Sequence, residues 1–399
     1  MKKILKKIFP KKFGAYWNKI RLHENIDEDL RFISDKFIKS ESYNYVSNQW
    51  HLWNISDYKT IIHNEPENYA TDIFSHYFTF VDYQDEYLER LFEDIDNLEE
   101  KKINSNLFKK HKTFNYKYSI LYNYLCLLLY ENLKETEYYG HLSKLDDKSF
   151  LGFKDPFITI DGVNITSDKI VSLFDLEKID KFSKIKEKDR ILEIGAGSGR
   201  LSDCIMSIKK NICYTICDIP PSIYISYKRL KLAFPEKKIK LLIDCDNSED
   251  LNQNINDNDI TFIFPHQLKN INSEFYNFTI AVDCLHEMNQ STLRDYFNMI
   301  TRISDKMYFS IWNKTKNWHS ESLFKRTERL NFEKGDYPIP KSWKIAFKEN
   351  LKFPSNHLSI GYYIKKNWNK NFIFWYFFLI VLFEILNLES FCPQLLNKL

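Results

Sequence analysis

Residues 191–200 read Ile-Leu-Glu-Ile-Gly-Ala-Gly-Ser-Gly-Arg. A short apolar run enters three alternate glycines, and a helix is expected to begin near Ser198. The pattern predicts a strand, a tight turn and a helix, because only glycine lets the backbone turn sharply and approach another group without a Cβ in the way. A dinucleotide-binding turn carries GxGxxG, whereas this one is GxGxG with Glu193 two residues before Gly195. No Lys-Ser/Thr pair follows, which excludes a P-loop. Taken alone, the glycines are equally what any tight turn needs.

The next strand sharpens the reading. Cys213–Asp218 ends in an acid 25 residues after Glu193, where a carboxylate can accept hydrogen bonds from both hydroxyls of a ribose. By itself Asp218 also reads as a turn acid or helix cap before Pro220 and Pro221. Glycine turn and acid together describe an adenosine-binding crevice at the carboxyl edge of a parallel sheet. Without a pyrophosphate fingerprint, S-adenosylmethionine fits that crevice better than NAD.

Further outward, Ile260–Phe264, Phe278–Cys284 and Met307–Trp312 also read as strands. Helical patterns fall between several of them, the signature of an α/β chain with crossover helices. Leu358–Ile364 is a candidate late antiparallel strand. Asp244–Asp259, rich in Asn and Asp, reads as a loop carrying a short helix. Upstream, residues 1–155 read as helical, with Tyr87–Glu100 amphipathic and acidic and Tyr118–Leu133 strongly apolar. Phe372–Phe383 is a run of twelve apolar or aromatic residues, short of the roughly 20 that span a bilayer. It is expected to be a core helix, with an interfacial anchor as the alternative. The domain boundaries are set at 1–23, 24–155, 156–371 and 372–399.

At 399 residues and 44% hydrophobic, the chain has ample core for two to three domains, which excludes a disordered or disulfide-stapled class. The net charge of +3 is unevenly placed. Eight Lys/Arg and no acid lie in residues 1–23, so the remaining 49 basic residues face 54 acids. An acidic body weighs against nucleic acid as a partner. The basic segment suits peripheral contact with an anionic membrane, each cation adding about 1 kcal/mol near the surface, or else a solvated terminus. Seven cysteines without a CxxC pair suit a reducing compartment and argue against structural zinc. No signal peptide is expected, and a cytoplasmic location follows. Aromatics reach 16% alongside many Lys, Asn and Ile; these residues share AT-rich codons, so no aromatic ligand platform is inferred.

A family resemblance rests on several of these stretches. The chain resembles the class I S-adenosylmethionine-dependent methyltransferases, and within them is similar to the sugar O-methyltransferases encoded with bacterial surface-polysaccharide genes. The matching residues are LEIGAGSGR (192–200), DIPPSIYISYKRL (218–230), Phe264-Pro265-His266-Gln267-Leu268, Leu285-His286-Glu287-Met288, and Asp336-Tyr337-Pro338-Ile339-Pro340 followed by Trp343. The resemblance covers about 155–364; Ser198 departs from the tyrosine the family carries near the helix start. It implies a Rossmann-like seven-stranded class I methyltransferase sheet with a helical N-terminal domain. It also implies methylation of a sugar or glycan hydroxyl. The alternatives are a methyltransferase on another small molecule or lipid, or a non-catalytic cofactor-binding subunit of a polysaccharide assembly complex. The oligomeric state is left open.

Residue by residue, Gly195, Ala196, Gly197 and Gly199 are expected to line the methionine and ribose side of the cofactor. Glu193 is expected to hold a loop amide or the cofactor's ammonium, Asp218 the ribose, and Ile219 the adenine face. His266 and Gln267 are candidates for the adenine edge, or form a polar turn. His286 is the candidate general base, since an imidazole with a pKa of about 6.5 accepts a proton near neutrality. Glu287 or Asp283 would orient it; alternatively His286 caps a helix or binds substrate. Tyr337, Trp343 and Trp312 are candidates for an aromatic wall or for core. No spacing compels a metal site, although Asp283, Glu287 and Asp336 carry hard oxygen donors.

Overall fold

The computed structural model describes residues 26–44, 46, 61, 119–145, 158–313, 320–321, 325–326, 330–354 and 357–364. The basic segment 1–23, the helix expected over 87–100 and the apolar run 372–383 lie outside the described residues. Helices α1 (Glu28–Lys39) and α2 (Ser119–Leu133) precede a ribbon of β1 (Ile158–Ile160) and β2 (Val163–Ile165). An alternating series follows: α3 (Ser167–Ser183), β3 (Arg190–Ile194), α4 (Arg200–Ile208), β4 (Cys213–Cys217), α5 (Ser222–Ala233) and β5 (Ile239–Leu241). It continues with α6 (Ser248–Asp257), β6 (Ile260–Ile263), β7 (Phe278–Val282), α7 (Gln290–Ile303) and β8 (Lys306–Trp312). A small ribbon of β9 (Ser320–Glu321) and β10 (Lys325–Arg326) leads to β11 (Lys344–Asn350) and β12 (His357–Tyr363).

One sheet organises the chain, in the order β11-β12-β8-β7-β3-β4-β6-β5. The pairs from β8 through β5 are parallel, and β12 runs antiparallel between β8 and β11. The late antiparallel strand expected over 358–364 is therefore β12. The sheet has eight strands rather than seven. Strand β5, three residues at the sheet edge, is too short to leave a pattern in the sequence. Strand β11 was also invisible in the sequence: nearly all of its residues face water, so it carries no apolar stripe, and its register on β12 holds it in place.

Side chains alternate across the sheet as a period of two requires. Ile191, Tyr214, Ile216, Phe262, Ile280 and Tyr308 face one core, which α2, α3, α4 and α5 cover. Leu192, Ile194, Cys217, Ile263 and Phe309 face the other, beneath α6 and α7. Helix α1 joins the first core through Leu30, Ile33 and Phe37, and Asp27 caps its N-terminus by accepting from Asp29 N and Leu30 N. The Asn/Asp-rich stretch resolves into α6, which Asn247 caps by accepting the Asp250 amide at 3.0 Å. Among the described residues no helix is long and apolar enough to cross a membrane.

The topology fixes where a site can form. From β3 the chain passes to β4, then to the edge strand β5 and back to β6 between them, before placing β7 on the other side of β3. Beyond the carboxyl ends of β3 and β7 the two connections diverge, the switch point at which a sheet of this kind places its ligand crevice.

Candidate active site

The turn after β3 forms one wall of the crevice. Gly195, Gly197 and Gly199 all have positive φ, at 70°, 59° and 78°. At Gly195 an added Cβ would lie 2.5 Å from Cys284 Cβ, the residue that follows β7 by two. The glycine therefore lets two strand ends close on each other, and the Cys284 thiol donates to the Ile194 carbonyl at 3.1 Å. Gly199 similarly makes room for α5, since a Cβ there would lie 3.1 Å from Ser226 Cβ. Two of the three glycines thus answer packing demands of the protein itself.

Asp218, at the tip of β4, closes this turn. Its Oδ2 accepts the Gly197 amide at 2.9 Å and its Oδ1 the Ile219 amide at 2.7 Å. Each oxygen keeps lone-pair capacity for another donor. Burial pushes the carboxyl up to about 7 despite the two backbone donors. Glu193 is also buried and pushed up to about 7, and its Oε2 accepts the Tyr214 hydroxyl at 2.9 Å. The loop amide that Glu193 was expected to hold belongs to Asp218 instead, because Glu193 points to the sheet face that carries Tyr214. Ala196 is buried beside the turn and Ile219 packs against the first core.

The residues after β6 depart from expectation. Gln267 is fully buried, and its amide is spent on the backbone. Its Oε1 accepts from Phe264 N at 2.7 Å, and its Nε2 donates to Leu242 O at 2.7 Å and Cys245 O at 2.9 Å. His266 has both ring nitrogens engaged, Nδ1 with Ser42 Oγ at 2.8 Å and Nε2 with Asp246 Oδ1 at 3.1 Å. Neither side chain offers its polar atoms to an adenine. Gln267 ties this loop to the end of β5, and His266 ties it to the turn after α1. Both contacts span stretches of chain that the local sequence does not connect.

Across the crevice, the ends of β7, β8 and β12 bring together residues far apart in sequence. His286 stacks on Trp312, with ring centroids 4.8 Å apart and planes at 18°. His357 stands edge-on to both rings, because its strand pairs His357 with Trp312. His357 Nε2 lies 3.0 Å from Asp283 Oδ1. Burial opposes the charge of Asp283, yet His357, His286 and Arg200 together hold its carboxyl well below the usual carboxylate range. Asp283, expected to orient His286, thus faces His357 at ion-pair distance. Glu287 ends the short turn 285–287 and is partly exposed. Of the aromatic candidates, Trp312 stands at the carboxyl end of β8, stacked on His286. Trp343 belongs to the second core, donating to Thr301 Oγ1 at 2.9 Å, and Tyr337 is buried in the same core. Asp336 Oδ2 accepts the Asn331 amide at 2.8 Å. Among the described residues no group of three or more His, Cys, Asp or Glu is placed to hold a metal ion.

Two arginines, Arg229 buried and Arg200 partly so, brace the floor. Arg200 donates to Asp175 Oδ2 at 3.0 Å and Ser172 Oγ at 3.1 Å. Arg229 grips Asp203 Oδ2 at 3.0 and 3.1 Å. Asp168, Glu193, Asp218 and Asp283 add four further carboxyls to the same region, and Asp168 is likewise pushed by burial to about 7. A cationic ligand would draw the raised carboxyls toward their ionised form and be held by them.

No family model matches the chain, and no curated protein matches it by sequence. Solved structures similar to it include the PH0226 protein of Pyrococcus horikoshii OT3, at 13% identity over 58% of this chain and 99% of that one, TM-score 0.34. Magnesium protoporphyrin IX methyltransferase from Synechocystis PCC 6803 with bound SAH gives 13% identity over 53% and 90%, TM-score 0.34. Haemonchus contortus phosphoethanolamine N-methyltransferase 2, in complex with S-adenosylhomocysteine, gives 14% identity over 37% and 30%, TM-score 0.26. Likeness at this level assigns no activity.

Proposed function

We propose that the chain is an S-adenosylmethionine-dependent methyltransferase that methylates a hydroxyl group of a sugar or glycan. The observation that carries the cofactor reading is Asp218, whose buried carboxylate folds back on the Gly197 amide beside the switch-point crevice. The residues present fit the group. Asp218 retains acceptor capacity for two ribose hydroxyls, and the surrounding carboxyl excess suits a ligand carrying an ammonium and a sulfonium. When bound, the cofactor supplies an electrophilic methyl group for in-line displacement.

The chain's own residues then have separable tasks. The glycine turn and Asp218 fix the nucleoside. Trp312 and His286 form a stacked wall on the side of β7 and β8, against which an acceptor ring can lie. A sugar hydroxyl is a weak nucleophile, so accepting its proton as the new bond forms lowers the barrier. His286, on the turn after β7, is the group assigned to accept that proton. The sugar as acceptor rests on the resemblance of the PPSIYIS, PHQL and LHEM stretches.

Calorimetry tests the cofactor: S-adenosylmethionine is expected to bind and NAD is not. A methyl-transfer assay on candidate glycans tests the reaction. His286→Ala is expected to lower kcat by roughly 10²–10⁴-fold with cofactor affinity unchanged. Near-normal turnover in that variant would leave alignment alone as the source of catalysis.

A further inference from the structure

Asp283 combines four features that the catalytic reading does not use. It is a non-glycine residue at φ 55°, a left-handed conformation that Asp and Asn tolerate best. About a third of its side chain is exposed, while its partner His357 is almost wholly buried. It directly precedes Cys284, which packs against Gly195, so it stands at the lip of the crevice. And it is held ionised from three elements: His357 on β12, His286 on the turn after β7, and Arg200 at the start of α4. Arg200 is itself committed to Asp175 and Ser172. Among these three groups, Asp283 and Asp175 against Arg200 leave one formal negative charge in excess.

We propose that Asp283, pinned by His357, determines acceptor specificity: it accepts a hydrogen bond from a neutral acceptor's hydroxyl and repels acceptors that carry an anionic group near the reacting oxygen. This rests on the methyltransferase reading and deepens it to a substrate class, the uncharged polyol. A carboxylate only accepts hydrogen bonds when ionised, so the acceptor must bring the donor. Like charges placed together across such a site are strongly disfavoured. His357 is a positioning residue in this scheme, acting through Asp283.

The test compares kcat/KM for a neutral glycoside and the uronate of the same sugar. Asp283→Asn suits it because Asn tolerates the left-handed backbone and keeps the oxygen that meets His357. Wild type is expected to favour the neutral acceptor, and Asp283→Asn to shrink that preference about tenfold. His357→Phe, which keeps a ring without a donor, is expected to raise KM for the neutral acceptor about tenfold, with cofactor affinity unchanged. His357→Gln, which restores an N–H donor, is expected to recover most of the loss. An unchanged preference in Asp283→Asn, or equal losses in the Phe and Gln variants, would overturn the assignment while leaving methyl transfer intact. Cofactor binding without turnover of either acceptor would overturn both readings together.

Discussion

The two walls of the crevice are built on different principles. The glycine-turn wall comes from residues 193–219, one strand–turn–helix–strand unit whose parts are neighbours in sequence. The opposite wall gathers Asp283, His286, Trp312 and His357 from the ends of three strands. The first wall is rigid because its backbone has little choice: positive φ at three glycines and an acid that bonds the loop amide. The second is rigid because the sheet register sets side chains against one another. Local covalent constraint makes one half of the site, and topology makes the other.

Substitution at Gly195 strains that contrast most. Here the turn depends on the far wall, since Cys284 fills the space a Cβ would take. Gly162 is a control, with φ 78° and nothing within 4 Å of an added Cβ. Gly162→Ala should cost only the left-handed backbone penalty of about 1 kcal/mol. Gly195→Ala adds a steric clash and should cost about 3 kcal/mol in urea unfolding. Equal costs would mean that the turn is a purely local device.

Asp218→Asn probes the near wall's electrostatics. The variant is expected to weaken S-adenosylmethionine binding by about a hundredfold, through loss of charge-assisted bonds. It should also change how stability responds to pH. The folded pKa is raised from 3.8 to about 7, so the stabilising contribution is complete below about pH 4 and lost as pH rises through 7. Urea midpoints should therefore favour the variant increasingly from pH 5 to pH 8. Glu193 and Asp168, raised in the same way, leave a residual slope in both proteins. Parallel pH curves for the two proteins would show that Asp218 titrates normally.

Legibility in the sequence follows the same division. The turn, Asp218 and the strands β3, β4, β6, β7, β8 and β12 could be read because each declares itself within a few residues, by glycine spacing or an apolar run. His357 could not, since nothing near it in sequence marks it; only its register opposite Trp312 brings it to Asp283. Gln267 and His266 looked like ligand-binding groups because their stretch is polar and follows a strand. Their partners, Leu242, Cys245, Ser42 and Asp246, lie 20 or more residues away and consume them. Strand β11 was hidden by its own exposure.

The smallest expected effect concerns that consumed pair and asks whether the near wall extends to the turn after α1. Ser42 is fully buried; its Oγ accepts the His266 amide at 2.9 Å and meets Nδ1 at 2.8 Å. Phe37 packs edge-on to Phe264, with centroids 5.5 Å apart. Around them run the pairs Lys36–Asp244, Lys269–Glu41, Lys228–Asp27 and Lys228–Asp29. Such surface pairs contribute at most about 1 kcal/mol each and often nothing measurable. The buried serine is therefore the contact whose loss should register, since it leaves a buried amide without its acceptor. Ser42→Ala should lower stability by about 1–2 kcal/mol. Because His266 serves the fold, cofactor affinity should stay within about threefold of wild type, well under 1.4 kcal/mol. A tenfold loss of S-adenosylmethionine affinity at unchanged stability would instead return His266 to the binding wall. The near side of the crevice would then also depend on a contact spanning more than two hundred residues of sequence.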